Sequence, residues 1–357
     1  PVFLFACFVY FDESIKGYLE DNRRVKAMRF RGHTSSALFM PLESLRFVGI
    51  DLTDLKVGDV FDKINGKEIC KKYVVKQLVP RTEKNKQKAK ERRVDEKFLP
   101  VHFDTDNYWR NKDSIPDGTQ VIITSKLLGT SIRLANTLVK RKLTWLERIA
   151  KRFGVAVKEF EYDYIAGSRR VIKDPADLDQ DHFYKTDIWT AALEKVRGLL
   201  PEGFVVYGEL IGWTEDGSPI QPNYTYGISE GTNELYVYRV AQVNPQGRLT
   251  DLSWDQVMEF CRDLGLKHVP EISRGRTGML GDPLNEFILS LMDKRFADVF
   301  VGKGHLPLDS PKLVDEGLCI RIDGLVPYIL KAKSPIFLEH ETKLLDKNIV
   351  DLESNDG

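Results

Sequence analysis

The sequence predicts a two-domain α+β protein, in which a small β-barrel is followed by a larger domain of largely antiparallel sheets flanked by helices. Two observations predict this. Short apolar runs separated by Gly and Asp/Asn fill the first hundred residues, and the remainder mixes strand-like and helix-like segments without a regular βαβ rhythm. The sequence has neither a Gly-x-Gly-x-x-Gly fingerprint nor a Walker A loop, so we do not expect a doubly wound parallel sheet.

The first domain is predicted at 1–80 and is expected to consist mostly of strands. Its apolar runs lie at 2–11, 26–30, 37–41 and 68–79. Asn65-Gly66 is a hairpin signal because both residues tolerate the positive φ of a tight turn. About five short strands in this length suit a small barrel such as an OB-fold.

A lysine-rich segment at 81–97 is predicted to link the two domains. Residues 81–93 carry seven basic and two acidic residues, and a second basic run at 140–152 carries six and one. The whole chain has 53 basic and 53 acidic residues, so its net charge gives no reason to expect a polyanionic partner. Charge segregated in this way is compatible either with a groove for nucleic acid or with solvated helix faces.

The second domain is predicted at 98–357. Its expected strands are 119–126, 131–138, 204–211, 235–243, 317–323 and 325–333, and its expected helices are 143–153, 187–199, 253–265 and 283–299.

Composition predicts a cytoplasmic protein. The 42% hydrophobic and 30% charged residues are typical of a folded domain. The four cysteines have no disulfide or zinc spacing, which indicates reduced thiols. The apolar opening segment is too short to span a membrane, so no membrane partner is expected.

The chemistry is predicted around Lys126, in Ser125-Lys-Leu-Leu-Gly-Thr-Ser131 at a strand end. Lys-x-x-Gly alone is weak, since it occurs four times, at Lys63, Lys126, Lys151 and Lys195. The residues downstream distinguish Lys126: Glu209 ends an apolar strand, Tyr236 and Tyr238 share a strand face, Glu316 opens a strand, and Lys331 and Lys333 close one. A nucleophilic lysine, two carboxylates, an aromatic ring and two further lysines are what covalent nucleotidyl transfer needs.

This ordered series resembles motifs I, III, IIIa, IV and V of the covalent nucleotidyltransferases, the superfamily of DNA ligases, RNA ligases and mRNA capping enzymes. Ser168-Arg169-Arg170 resembles motif Ia. Only 24 residues follow Lys333, too few for the C-terminal OB domain of DNA ligases and capping enzymes. A β domain before the catalytic domain is similar instead to the Deinococcus-type RNA ligases.

The resemblance implies a role for each site residue. Lys126 would carry AMP covalently, with Lys331 and Lys333 neutralising charge on the α-phosphate. Glu316 would hold Mg²⁺ or Mn²⁺ through water, and Arg169 and Arg170 would grip the nucleic acid. The remaining expected nucleotide contacts are Ser125, Gly129, Ser131, Glu209 and one of Tyr236 and Tyr238, with Tyr238 preferred. The sequence departs from the family pattern at Leu128, where many members have Asp, and at Ser131, where DNA ligases usually have Arg.

The function expected from the resemblance is an ATP-dependent RNA ligase that joins 3′-OH and 5′-phosphate ends through a lysyl-AMP intermediate. Its expected partner is nucleic acid, a nicked duplex with an RNA 3′-OH end, and the protein is expected to be a monomer. The alternatives are a DNA ligase, a GTP-using capping-type enzyme, or an OB-type nucleic-acid binder whose nucleotidyltransferase domain is inactive.

Overall fold

The computed structural model describes residues 2–5, 7–9, 25, 28–30, 33–35, 37–49, 55–72, 93–173, 186–278 and 283–346. Contacts group them into two units. The first contains the described residues of 1–79 and 333–355, and the second contains those of 80–332. The domain bounds of 1–80 and 98–357 stay a prediction, and residues 81–92 of the basic linker lie outside the described residues.

The first unit contains short strands joined in pairs. They are β1 (Val2–Phe5), β2 (Cys7–Val9), β3 (Met28–Phe30), β4 (His33–Ser35), β5 (Ala37–Met40), β6 (Lys63–Ile64), β7 (Lys67–Glu68) and β8 (Cys70–Lys72). Their described ladders are β1–β5, β2–β8, β3–β4 and β6–β7, all antiparallel. These ladders do not join into a closed barrel within the described residues. The hairpin predicted at Asn65-Gly66 is present, with φ of 50° and 75°.

The second unit is built on two sheets. Its strands are β9 (Asp106–Asn107), β10 (Gln120–Lys126), β11 (Thr130–Lys140), β12 (Phe160–Gly167), β13 (Ile172–Lys173), β14 (Phe204–Gly212), β15 (Asn233–Val243), β16 (Leu249–Asp251), β17 (Lys267–His268), β18 (Glu271–Arg276), β19 (Gly317–Ile322) and β20 (Tyr328–Lys333). One sheet has the order β18-β10-β19-β20-β9. The other has the order β13-β12-β11-β14-β15-β16, with β17 pairing to β15.

The described helices are α1 (Tyr108–Asn111), α2 (Trp145–Arg152), α3 (Ile188–Val196), α4 (Trp254–Leu264), α5 (Pro283–Leu291), α6 (Phe296–Val299) and α7 (Pro335–Asp346). Within the described residues, three short 3₁₀ segments lie at Leu42–Val48, Glu96–Phe98 and Lys112–Ser114. The predicted helices at 143–153, 187–199 and 253–265 are confirmed, and the one at 283–299 is split into α5 and α6. Capping explains two of the starts, because Thr144 and Ser253 each form a capping box with the residue three positions on.

The mixed α+β class is confirmed, as is the prevalence of antiparallel pairing in the larger unit. Only the β15–β17 and β9–β20 pairs of its described ladders run parallel. Each sheet has its own apolar core. The five-stranded sheet packs Val121, Ile123, Leu318, Ile320 and Leu330 against α5 and α6, whose core residues include Ile288 and Phe296. The other sheet buries Ala135, Val139, Ile165, Val205 and Ala241 around Phe98 and Leu99.

No helix in the described part of the chain is both long enough and apolar enough to cross a membrane.

Candidate active site

Two strand ends bring Lys126 and Glu316 together. Lys126 is the last residue of β10 and pairs with Gly317, the first residue of β19. Its Nζ lies 2.8 Å from Oε1 of Glu316, and the two side chains are 12% and 0% exposed. An amine and a carboxylate far apart in sequence therefore form a pair almost removed from water, where charge interactions are much stronger than at the surface.

Glu209, Ser131 and Tyr236 share one face of the second sheet. Ser131 pairs with Glu209 across β11 and β14, and Glu209 pairs with Tyr236 across β14 and β15. Directly opposed residues project to the same side of a sheet. Ser131 Oγ accordingly donates to Glu209 Oε2 at 3.4 Å, and Glu209 is only 6% exposed. These three predicted nucleotide contacts are therefore neighbours.

Both candidate adenine-stacking tyrosines already have partners. The Tyr236 hydroxyl donates to Glu234 Oε2 at 3.1 Å, and Lys267 Nζ lies 5.7 Å from its ring centre. Tyr238 lies beside a register shift of the β14–β15 ladder. Burial raises the pKa of Tyr238, the nearby Glu209 carboxylate raises it further, and a hydrogen bond with Ser131 opposes both. The stacking of one of these tyrosines on the adenine base, with Tyr238 preferred, stays a prediction.

His102 is a member of this cluster that sequence reasoning missed. Its ring lies edge-on to Tyr238 at 5.1 Å and is tilted 4.5 Å from Phe103. Its Nδ1 lies 3.3 Å from Arg239 Nη1. Burial first, then the charges of Arg239 and Arg169, lowers the pKa of His102 to about 3, so the imidazole is neutral at ordinary pH. The residue has no metal or triad spacing in the sequence, so nothing there distinguished it.

Arg169 and Arg170 lie in the turn between β12 and β13. The turn is closed by Ser168 N–H donating to Val171 O at 2.9 Å. Arg169 pairs with Asp104 at 2.8 Å, and its charge acts on His102. The buried Arg133 donates from Nε to Ser168 O at 2.8 Å, which fixes the turn to β11. The contact of Arg169 and Arg170 with nucleic acid stays a prediction.

Ser125 and Gly129 flank the nucleophile with structural constraints of their own. Ser125 Oγ lies 3.2 Å from His305 Nδ1, and successive residues of a strand face opposite sides, so this contact is on the other side of β10 from Lys126. A Cβ on Gly129 would lie 2.4 Å from Leu210 O and 2.9 Å from Glu209 Cγ. Glycine is therefore required here by close packing on β14. The predicted nucleotide contacts of both residues stay predictions.

Lys331 and Lys333 lie on β20, the neighbour of β19. Lys331 pairs with Asn107 of β9, and its side chain is partly exposed. Lys333 pairs with Glu341 at 3.1 Å, and its Nζ lies 5.3 Å from the Phe337 ring centre. The Lys333 contacts with Glu341 and Phe337 belong to the first unit, and the predicted action of both lysines on the α-phosphate stays a prediction.

The chain is similar to known proteins both in fold and in sequence family. Three solved structures of a Naegleria gruberi RNA ligase are similar to the chain: the enzyme with PPi (17% identity, TM-score 0.53, covering 90% of this chain and 77% of that one), an aspartate-to-alanine variant in its apo form (18%, 0.52, 90% and 76%), and a lysine-to-alanine variant with ATP and Mn (17%, 0.50, 89% and 76%). At this identity the likeness shows the fold alone.

A search of curated protein sequences gave no match. The family model described as RNA ligase matches residues 119–333, more than half of the 357 residues, and this span contains every predicted site residue from Lys126 to Lys333. The chain therefore belongs to the RNA ligase family.

Proposed function

We propose that this protein is an ATP-dependent RNA ligase that works through a lysyl-AMP intermediate. The observation that carries the proposal is the buried pair of Lys126 and Glu316, placed by two adjacent strand ends. Glu209 and Ser131 on the neighbouring sheet supply carboxylate and hydroxyl groups suited to a ribose. The structures of the Naegleria ligase with ATP and Mn, and with PPi, support a nucleoside triphosphate as the substrate.

In the first step the Lys126 ammonium gives up a proton to solvent, and the neutral Nζ attacks the α-phosphorus of ATP. A P–N bond forms, the bond to the bridging oxygen breaks, and pyrophosphate leaves. A 5′-phosphate oxygen of the RNA then attacks the adenylate phosphorus and the lysine nitrogen leaves. Finally the RNA 3′-OH attacks the activated 5′-phosphorus, a phosphodiester forms and AMP leaves. Lys331 would stabilise the charge that develops at phosphorus, as cations do in phosphoryl transfer.

The residues present fit a divalent ion held through water. Glu316 is fully buried beside Lys126, and Glu209 is nearly so. Among the described residues no three His, Cys, Asp or Glu side chains converge as they do in a direct metal site. Mg²⁺ commonly keeps several of its waters and binds substrate phosphates, and it would supply charge neutralisation to the triphosphate.

Labelling tests the proposal. Incubation with α-labelled ATP and Mg²⁺ should label the protein, and Lys126→Ala should abolish the label while the circular dichroism spectrum is unchanged. Lys151→Ala and Lys195→Ala, which alter two other Lys-x-x-Gly sequences, should label like wild type, and unlabelled GTP should compete poorly. Label retained in Lys126→Ala would end the assignment of the nucleophile.

The proposed function also includes a specific RNA substrate and a role for the first unit. We infer that the enzyme seals nicks with an RNA 3′-OH, in the Deinococcus-type layout, and that the N-terminal domain acts as an OB-type module on the polynucleotide. A shortened chain of 98–357 should then form lysyl-AMP yet seal nicks poorly. Full sealing by that chain would remove the proposed role of the N-terminal domain.

A further inference from the structure

Helix α2 presents its apolar face to solvent. Trp145, Leu146 and Ile149 of α2, and Phe153 directly after it, are 67%, 60%, 45% and 80% exposed. At 3.6 residues per turn these four side chains fall on one side of the helix. An amphipathic surface helix ordinarily turns that stripe toward its own core. In α2 every one of the eight residues is at least partly exposed.

The polar face of α2 is the one attached to the domain. Glu147 pairs with Arg141 and accepts from Thr144 N–H at 2.8 Å. Lys151 pairs with Glu159, just before β12, at 2.6 Å. Charged contacts thus hold the helix to the strands on either side of it, and the apolar stripe is left as a docking surface.

The surroundings of α2 are cationic. Residues 140–161 contain seven basic and three acidic residues, a net charge of +4. Beside the helix lies a groove of about 360 Å³, lined by four cations (Arg93, Lys140, Arg141 and Lys142), one carboxylate (Glu159), Leu143 and the 43% exposed Phe160. A second copy of the chain that docked through the same face would bring the same positive charge and be repelled. Exposed aromatic rings among cations match single-stranded RNA, whose bases stack and whose phosphates are anionic.

We propose that α2 and this groove bind a single-stranded flank of the RNA being joined, beyond the short duplex that holds the nick. This inference rests on the proposed RNA ligase function and adds the surface that holds the substrate beyond its ends. Strand β11 takes ten residue steps from Thr130, four residues after Lys126, to Lys140. At about 3.3 Å a step this is roughly 33 Å. At the stacked spacing of about 3.4 Å per nucleotide along one strand, the surface contacts RNA on the order of ten nucleotides from the junction.

Arm length provides the test. Fluorescence anisotropy of labelled RNA and the KM for sealing are measured on nicked substrates whose complementary strand pairs with about 6 nucleotides on either side of the nick. The RNA either ends there (the short arm) or continues as a single strand to about 20 nucleotides from the junction (the long arm). Wild type should bind the long arm more tightly. The double variant Trp145→Ala/Phe153→Ala should lose roughly tenfold or more of that gain, since each stacked base contributes substantially. Arg148→Gln/Arg152→Gln should lower the salt dependence of long-arm binding. The exposed pair Leu289→Ala/Val301→Ala, on another surface, should behave like wild type.

The outcomes separate the two proposals. Failure of wild type to form lysyl-AMP overturns the proposed function, while anisotropy still reports on α2. Equal long-arm binding by Trp145→Ala/Phe153→Ala and wild type overturns the α2 inference. An equal loss of short-arm and long-arm binding in that variant overturns it too. Binding of anionic phosphatidylserine vesicles or of an acidic helical peptide that depends on Trp145, with no effect on RNA, assigns the surface to another partner and also overturns it.

A second, independent inference comes from a segment that holds the nucleophile loop. Residues 221–226, here called the clasp, lie between β14 and β15. Gln221 Nε2 donates to Gly129 O at 2.7 Å, and the Tyr226 hydroxyl accepts from Leu128 N–H at 2.7 Å. Gln221 and Tyr226 are 5% and 3% exposed. Both bonds fix the main chain two and three residues after Lys126.

The clasp also holds the chain that leads into Glu316. The Tyr224 hydroxyl donates to Val314 O at 2.9 Å, and Thr225 Oγ1 donates to Asp309 Oδ1 at 2.8 Å. Tyr226 has a φ of 57°, in the left-handed region that costs a side-chain-bearing residue free energy. The surrounding contacts maintain this strained turn, which aims the hydroxyl at Leu128.

The geometry points to Gln221 and Tyr226 as positioning residues for Lys126, with Tyr224 doing the same for Glu316. A nucleophile displaced by about 1 Å loses roughly a hundredfold in rate, so a rigid support for its main chain matters for each step in which its nitrogen reacts. The inference rests on the proposed lysyl-AMP chemistry. It assigns a function to a segment that none of the predicted motifs includes.

Separating the steps tests the clasp. Tyr226→Phe removes one hydroxyl and should slow lysyl-AMP formation about tenfold to a hundredfold. It should change sealing of an RNA end that is already adenylylated by less than about threefold, because that step does not use the Lys126 nitrogen as a nucleophile. The matched control is Tyr108→Phe, which removes another buried hydroxyl, hydrogen-bonded to Asn285 at 2.5 Å in the core of the five-stranded sheet. Its two rates should change by the same factor.

Gln221→Met gives a second route if Tyr226→Phe does not fold. It keeps the side-chain length and removes the donor to Gly129 O. Lysyl-AMP formation at the wild-type rate in a folded clasp variant overturns the inference, as does an equal slowing of both steps. Absence of lysyl-AMP in wild type counts against the proposed function instead.

Discussion

Asp315, the residue before Glu316, is a buried carboxyl that should make stability depend on pH. It is 5% exposed and accepts a hydrogen bond from Phe296 N–H at 2.6 Å. Burial raises the pKa of Asp315 from 3.8 to about 7, against the opposing effects of that hydrogen bond and of Arg295. The folded state therefore holds a proton that the unfolded state has already released, and stability falls as pH rises from about 4 to 7.

We expect Asp315→Asn to remove this part of the pH dependence. The amide oxygen can still accept from Phe296 N–H, and the cost of ionising a buried carboxyl, on the order of 4 kcal/mol at pH 8, disappears. Urea unfolding at pH 5 and pH 8 should show the variant gaining on wild type at the higher pH. Asp113→Asn, at a side chain 87% exposed, is the control. Parallel curves for wild type and Asp315→Asn would contradict the raised pKa.

Glu316 and Lys331 should affect the chemical step more than ATP binding. Glu316→Gln removes the carboxylate 2.8 Å from Lys126 Nζ. Lys331→Ala removes a cation expected to act on charge that develops only in the transition state. Each should lower the rate of lysyl-AMP formation by about a hundredfold or more, while the Kd for ATP, measured by equilibrium binding, changes by less than about threefold. Normal labelling by both variants would show that the two residues are structural.

At the scale of elements, strands with apolar runs could be predicted and polar strands could not. β10, β11, β14, β15, β19 and β20 all lie where Val, Ile and Leu are concentrated. The sequence does not reveal β12, because Glu161 and Asp163 interrupt its apolar residues. It does not reveal β18 either, because this strand is the edge of its sheet and carries Glu271 and two arginines. The barrel expected at the N-terminus could not be derived from the sequence, since alternating patterns predict strands but not their closure.

The residues of the candidate site likewise divide into those that the sequence predicts and those that it does not. Lys126, Glu209 and Glu316 can be predicted because their order along the chain resembles the motif order of the covalent nucleotidyltransferases. His102, Gln221 and Tyr226 lie in segments without helix or strand, where no period marks a buried side chain. Their roles depend on contacts with residues far away in the sequence, such as His102 with Tyr238 and Tyr226 with Leu128. Such contacts become visible only in three dimensions.

The junction of β11 with β14 should tolerate no side chain at position 129. Gly129→Ala would place a Cβ 2.4 Å from Leu210 O, a main-chain atom that cannot rotate away. We expect a loss of about 1–3 kcal/mol in the free energy of unfolding, together with slower lysyl-AMP formation as the Lys126 loop shifts. Gly275→Ala in β18 is the matched control, because its Cβ would meet nothing within 4 Å. Equal urea midpoints for the two variants would contradict the expected clash.

At the scale of the whole molecule, charge is balanced in number but not in position. The chain has 53 basic and 53 acidic residues, yet the run at 140–152 has six basic and one acidic, and its described side chains lie around the exposed helix α2. A neutral protein can therefore bind a polyanion through one region while the rest stays acidic. The equal numbers of basic and acidic residues do not reveal this local concentration of positive charge.

Sealing should consequently depend on salt although the net charge is zero. Counterions released from RNA phosphates make affinity fall steeply with salt concentration, with a log–log slope of about −0.7 for each contacted phosphate of a single strand. Lysyl-AMP formation involves no RNA and should change much less over the same range, about 50–200 mM. The difference between the two slopes, measured on one preparation, counts the phosphates contacted.

A ribose at the 3′-OH side should also be preferred over a deoxyribose, because the 2′-hydroxyl is what distinguishes RNA from DNA at a given site. Parallel salt dependence of both steps would mean that RNA binding is not electrostatic, and equal sealing of all-DNA nicks would move the enzyme's substrate from RNA to polynucleotides in general.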